Sequence, residues 1–275
     1  MSTTTTIPPA SGTRARALLN KVPEVTIWFW IIKILCTTVG ESFADWIAVD
    51  LGVGLINTTI IFTVVLAAVL TWQIRLPRYN PFSYWLAVVV LSVTGTLYTD
   101  ILTDRYGVNL AITTPIVAAL LAAVFAVWYA KEHTLSIHSI FTTRREAFYW
   151  AAALVTFALG TAVGDLTAVT LHLGYLSSGI LFGVAFGLAG VAYRWFRLNG
   201  IAAFWWAYIA TRPFGASFAD WFAKPVSAGG LGYGQGIVSL VLAVVIVVSV
   251  SYLTVTRVDD PNDESLPLEA ASPSS

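Results

Sequence analysis

Four aspartates set in an otherwise apolar chain are the residues most able to do chemistry. Asp45, Asp100, Asp165 and Asp220 recur 55, 65 and 55 positions apart. Each has a Gly five residues before it, in GESFADW (40–46), GTLYTDI (95–101), GTAVGDL (160–166) and GASFADW (215–221). Each also has a Trp fifteen residues before it: Trp30, Trp85, Trp150 and Trp205. On a helix, the positions three and four before an Asp share its face. Those positions supply Glu41 and Ser42, Thr96, Thr161, and Ser217, with Thr38, Asp104 and Lys224 further along. An oxygen-only donor set suits a hard ion such as Mg²⁺, Mn²⁺ or Ca²⁺, whereas zinc and copper prefer nitrogen and sulfur. Asp45, Asp100, Asp165, Asp220 and Glu41 are therefore the expected metal ligands. Ser42, Thr96, Thr161, Ser217 and Arg212 are the expected lining of a substrate pathway.

The elements that position these groups follow from composition. Apolar types make up 57% of the 275 residues and charged types 11%, which points to the bilayer as solvent. Spanning it takes about 20 apolar residues. Eight stretches qualify, near 25–48, 55–74, 82–103, 110–130, 147–171, 176–196, 201–222 and 235–256. The fold class expected is all-α, a polytopic transmembrane helix bundle of about eight helices. Arg14, Arg16, Lys21, Arg75, Arg78, Lys131, Arg144, Arg145, Arg194, Arg197 and Arg257 fall on one side of this map, and only Arg105 and Lys224 on the other. The positive-inside rule then puts both termini in the cytoplasm. Residues 1–21 read as a disordered leader, 131–146 as a cytoplasmic connector between two four-helix halves (22–130 and 147–257), and 258–275 as a disordered acidic tail. Zero formal net charge gives no reason to expect nucleic acid, and the lone Cys36 can form neither a disulfide within the chain nor a cysteine-rich metal site. Walker loops and nucleotide fingerprints are missing, so no nucleotide cofactor is expected.

Each repeat unit holds two helices, so successive units enter the membrane in the same direction. Such parallel repeats arrange themselves about an axis along the membrane normal. With Trp near the inner interface and about 22 Å of helix rise to the Asp, all four carboxylates should share one depth toward the outer side. Nine residues after each Asp comes a turn-former, Gly54, Asn109, Gly174 and Gly229, where the outer connection should begin.

The Gly/Asp motif, the Trp and the four two-helix units resemble a bacterial family defined by a tandem membrane repeat of unknown function, four copies to a protein. The resemblance covers roughly residues 22 to 257 and implies the eight-helix, four-repeat architecture and a bacterial membrane, without a reaction or a substrate. The second and third copies depart from the first and fourth in lacking the Trp that follows the Asp, Trp46 and Trp221.

A carboxylate inside a bilayer costs about 2.5–3.5 kcal/mol on insertion scales, so these groups need partners or water. One reading is a transporter or permease for a small cation, in its most concrete form a proton-coupled divalent-metal transporter of the bacterial inner membrane. A second makes each Asp a tie to helix-end backbone, in a scaffold or sensor. A third is an intramembrane metal-dependent enzyme acting on lipid. Arg212 stands beside Pro213, where the helix should kink or unwind, and reads as a counter-ion to a carboxylate. Lys33 should snorkel to the inner surface. The four Trp suit an interfacial belt or a cavity wall, and Gly183, Gly187 and Gly190 suit close helix packing.

Overall fold

The structure is a computed structural model that describes residues 20–261. Among the described residues all regular structure is helical. The eight long helices are α1 (Ile27–Asp45), α2 (Leu55–Arg75), α3 (Pro81–Asp100), α4 (Leu110–Glu132), α5 (Thr143–Asp165), α6 (Tyr175–Trp195), α7 (Gly200–Ala223) and α8 (Gln235–Thr256). Seven of them are long and apolar enough to cross a membrane. The eighth, α7, carries Arg212 and Asp220 and packs with both neighbouring ring helices.

Backbone groups in lipid must be satisfied within the protein, and the helix starts show how. Thr26, Asn80, Thr142 and Asn199 cap α1, α3, α5 and α7, each side-chain oxygen accepting from a backbone N–H of the first turn. Asn109 does the same for α4, while Gly54, Gly174 and Gly234 precede α2, α6 and α8 with φ of 82°, 77° and 82°. In the fourth unit, then, the residue preceding its second helix as Gly54 and Gly174 do is Gly234. Gly229, nine residues after Asp220, lies inside the longer connection of this unit with φ of 88°.

The odd-numbered helices close into a ring, α1 against α3, α3 against α5, α5 against α7, and α7 back against α1. The even-numbered helices sit outside it, α2 on α3, α4 on α5, α6 on α7 and α8 on α1. Burial follows: 56–67% of the spanning residues of α1, α3 and α5 are enclosed, against 17–28% for the outer helices. Each outer helix leans on the ring helix of the next unit, so no unit is complete without its neighbour.

The motif glycine explains how the ring closes. A Cβ added at Gly40 would overlap Ser92, at Gly95 Phe157, at Gly160 Arg212, and at Gly215 Thr37. Every one of these partners lies eight residues before its own Asp, so the four ring contacts repeat a single geometry. Small residues let backbones approach this closely without the apolar drive that operates in water. Gly183 packs in the same manner under Phe214, whereas Gly187 and Gly190 face open space, contrary to the expectation of close packing along all three.

At the end of the bundle where the described chain begins and ends, the helical body takes in residues beyond the expected limits. Asn20, Lys21 and Val22 are buried, and Lys21 donates to the Ile74 carbonyl and pairs with Glu146 at 2.9 Å. Asp259, expected in the solvated tail, is buried and accepts from Tyr79 Oη; burial holds its carboxyl above the usual range. The remainder of the expected leader and tail, 1–19 and 262–275, lies outside the described residues.

Gly95→Ala should cost about 1–3 kcal/mol through overpacking against Phe157 and the Ala158 backbone. Gly187→Ala, in open space on α6, should instead gain up to about 1 kcal/mol from helix propensity. Unfolding midpoints of the two purified variants in detergent give the comparison.

Candidate functional site

Stepping backward from each Asp by four residues, about one helical turn, traces the column that lines the ring axis. The Asp level is followed by Glu41, Thr96, Thr161 and Ala216, then by Thr37, Ser92, Phe157 and Arg212. Next come Lys33, Val88, Ala153 and Tyr208, and last Phe29, Tyr84, Tyr149 and Phe204. Every residue of the four lower levels is buried.

The second and third levels meet at one point. Arg212 is fully buried, and its Nη2 lies 2.9 Å from Glu41 Oε2 and 2.8 Å from Thr161 Oγ1, and also donates to Thr96 Oγ1. Its Nη1 donates to the Thr37 carbonyl at 2.7 Å and its Nε to that of Phe157 at 3.3 Å. Thr96 and Thr161 donate in turn to Glu41 Oε2 at 3.0 and 3.2 Å. All four ring helices thus contribute to one ion pair. The arrangement is possible because the repeat is imperfect: the fourth unit has Ala216 where the others have Glu or Thr, leaving room for the guanidinium that rises from the level below. The helix runs unbroken through Pro213, so the unwinding expected there does not occur.

Beneath this pair Lys33 is fully buried, its Nζ 4.0 Å from the ring centres of both Phe157 and Tyr208 and without a hydrogen-bond partner. Snorkelling is ruled out by position, because Lys33 faces the axis rather than lipid; the two ring faces hold the ammonium instead. The bottom level closes the column, with Tyr84 and Tyr149 joined through their hydroxyls at 2.5 Å and Phe29 against Phe204. Trp85, Trp150 and Trp205 are buried against this floor, Trp205 donating to the Leu135 carbonyl, so they are not an interfacial belt.

The opposite end forms an acidic mouth. Lys224 Nζ lies 2.6 Å from Asp45 Oδ2 and 3.6 Å from Asp220 Oδ1, and Gln235 Nε2 donates to Asp45 Oδ2 at 2.9 Å. Asp100 and Asp165 end α3 and α5 at the matching position, Asp100 buried and Asp165 half-buried. Three of the units leave the Asp through a turn of π-helix, Trp46–Asp50, Ile101–Arg105 and Leu166–Thr170, with bonds such as Leu51 N to Trp46 O. The fourth cannot follow, because Pro225 lacks the N–H that would bond back to Asp220; α7 stops and Lys224 turns extended toward the mouth.

Ser42 hydrogen-bonds Ser239 of α8 at 3.0 Å, and Ser217 Oγ is buried without a partner. Among the described residues no group of three or more His, Cys, Asp or Glu is placed to hold a metal. Of the expected metal ligands Asp45, Asp100, Asp165, Asp220 and Glu41, Glu41 lies a turn below the others and pairs with Arg212, and Asp45 pairs with Lys224. Gln235 carries no repeat signal, since Leu55, Leu110 and Tyr175 open the other even-numbered helices. A polar side chain opening the most apolar outer helix was the available signal.

These features define a multi-pass helical membrane protein built of four tandem two-helix repeats around a polar axis. The family model described as Repeat of Unknown Function (DUF347) matches residues 28–79, 83–134, 148–199 and 203–259, and the chain belongs to that family. The fourth match is the longest, in keeping with the extended connection after Asp220. No curated protein and no solved structure matches the chain.

Arg212→Met leaves Glu41 buried and unpaired, and should cost about 3–5 kcal/mol. Adding Glu41→Gln should return much of that loss. A double-mutant cycle on unfolding in detergent measures the coupling.

Proposed function

We propose that this protein is a permease that carries a small cation along the ring axis, with proton movement as the coupling flux. The observation that supports it best is the charged column itself. Carboxylates, two of them buried, occupy the mouth, an ion pair drawing on all four ring helices occupies the enclosed middle, and a fully buried ammonium lies below it. Intramembrane ionisable groups mark ion pathways as a rule, because their insertion cost must be offset by a role or a partner. Rings of acidic side chains attract cations and repel anions.

In this reading the Glu41–Arg212 pair is the closed gate and the aromatic floor the second closure. The Lys and Arg bias of the loops orients the floor and both termini to the cytoplasm and the mouth to the outside of a bacterial inner membrane. Protonation of a mouth carboxylate weakens its hold on a cation, which gives the proton its coupling role. Asp100 and Asp165 are the carboxylates to probe, since among the described residues no salt bridge engages either one.

Purified protein in liposomes should pass Mn²⁺ or protons down an imposed gradient. Asp100→Asn with Asp165→Asn should lower the rate at least about tenfold, an activation change near 1.4 kcal/mol, without lowering folded yield. Absence of any flux from wild-type protein, or flux untouched by the double substitution, overturns the reading. Lipid turnover without flux would favour an enzyme.

A further inference from the structure

Lys224 breaks the symmetry of the mouth. The residues four positions after the Asp in the other units are Val49, Asp104 and Val169, so nothing in the repeat calls for an ammonium there. The fourth unit nevertheless builds a loop to hold it. Pro225 ends the helix, Gly232 N donates to the Lys224 carbonyl at 2.9 Å, and Gly230 packs so tightly on that carbonyl that a Cβ would overlap it.

What surrounds the ammonium is a donor set that it uses only in part. Asp45 comes from α1, Asp220 from α7 and Gln235 from α8, and Asp220 and Gln235 are more than nine-tenths buried. Among the described residues Gln235 Oε1 and Ser217 Oγ, a turn below Asp220, have no hydrogen-bond partner, while Asp220 Oδ1 is held through the 3.6 Å ion pair with Lys224. Buried polar atoms are normally satisfied, so orphaned oxygens beside a charged group mark a place for a ligand. The contrast with Arg212 is direct, since all three of its guanidinium nitrogens are engaged.

We propose that Lys224 is a tethered occupant of a cation site formed by Asp45 and Asp220, and that a hard divalent cation enters by displacing it as Gln235, whose amide nitrogen now faces Asp45, turns to offer its carbonyl oxygen. Two carboxylates carry twice the charge of one ammonium, so a divalent ion balances the site and Lys224 does not. Carboxylate and amide oxygens completed by water are the usual ligands of such ions. The displaced group has somewhere to go, because the Lys224 side chain is one-third exposed and its four-carbon stem is flexible. This inference rests on the mouth being the cation entrance. It adds the ligands, the class of ion and a built-in competitor that keeps the site charged when no cation is present.

The test uses the full chain in detergent, with MnCl2 as probe and choline chloride at matched ionic strength as control. Acetylation of wild-type Lys224 by an N-hydroxysuccinimide ester, followed by mass spectrometry, should speed up several-fold when MnCl2 is added, because the ammonium is expelled toward solvent. Lys224→Met should need about tenfold less MnCl2 than wild type to raise its melting midpoint, as expected when a competitor that fills the site nine-tenths of the time is removed. Adding Asp45→Asn should abolish that response. An acetylation rate unmoved by MnCl2 overturns the proposal, and this measurement decides alone if Lys224→Met does not fold. Mn²⁺-dependent acetylation without flux in liposomes would sink the permease and keep the site. Flux without it would do the reverse.

Discussion

Four backbone contacts, each made by the motif glycine against the residue eight positions before the next aspartate, set the distance between the ring helices. In lipid there is no hydrophobic gain from bringing two helices together, so association depends on close packing and on polar contacts. Gly40, Gly95, Gly160 and Gly215 supply the first, and their register brings the polar levels of four helices to one axis. Thr37 Oγ1, for example, reaches the Thr211 carbonyl across the α7–α1 contact at 3.2 Å. Widening any one contact by a side chain would separate the groups that satisfy Glu41 and Arg212.

The departures from four-fold symmetry matter more for chemistry than the symmetry does. A perfect repeat would place four identical side chains at each level, and four buried like charges repel. Here the units divide the labour. The first supplies Glu41 and Lys33, the second and third supply hydroxyls, and the fourth supplies Arg212, Ala216 and Lys224. A single ion pair is thereby surrounded by donors and acceptors from every unit, which is the condition under which a buried pair is tolerated. The fourth connection differs for the same reason, since Pro225 replaces a π-helical exit with a loop that presents a cation.

The outer helices contribute more than lipid-facing surface. Because α8 packs on α1, it closes the circle between the last unit and the first, and Gln235 and Ser239 reach Asp45 and Ser42 from outside the ring. At the other end Lys21, Glu146, Gln73 and Ser83 form a buried polar cluster, and Asp259 with Tyr79 forms a second contact there. Lys21 and Glu146, from outside the repeats, thus join residues at the repeat ends to seal the end that carries the aromatic floor.

The sequence alone determined the number of helices, the four units and the positions of the aspartates, because these follow from local hydropathy and from spacing along one chain. It also marked Arg212 as needing a partner, since a charge at that depth is costly whatever surrounds it. What only the tertiary structure decided is which groups meet. Glu41 and Arg212 are 171 positions apart and Asp45 and Gln235 190, and no periodicity within a helix sets such pairings. Lys33 shows the limit clearly: its distance from the helix end allows it to reach the surface, but the rotation of α1 in the ring turns it toward two aromatic faces. That rotation is fixed by Gly40 against Ser92 and by Thr37 against Gly215, contacts between helices that a single strand of sequence does not contain.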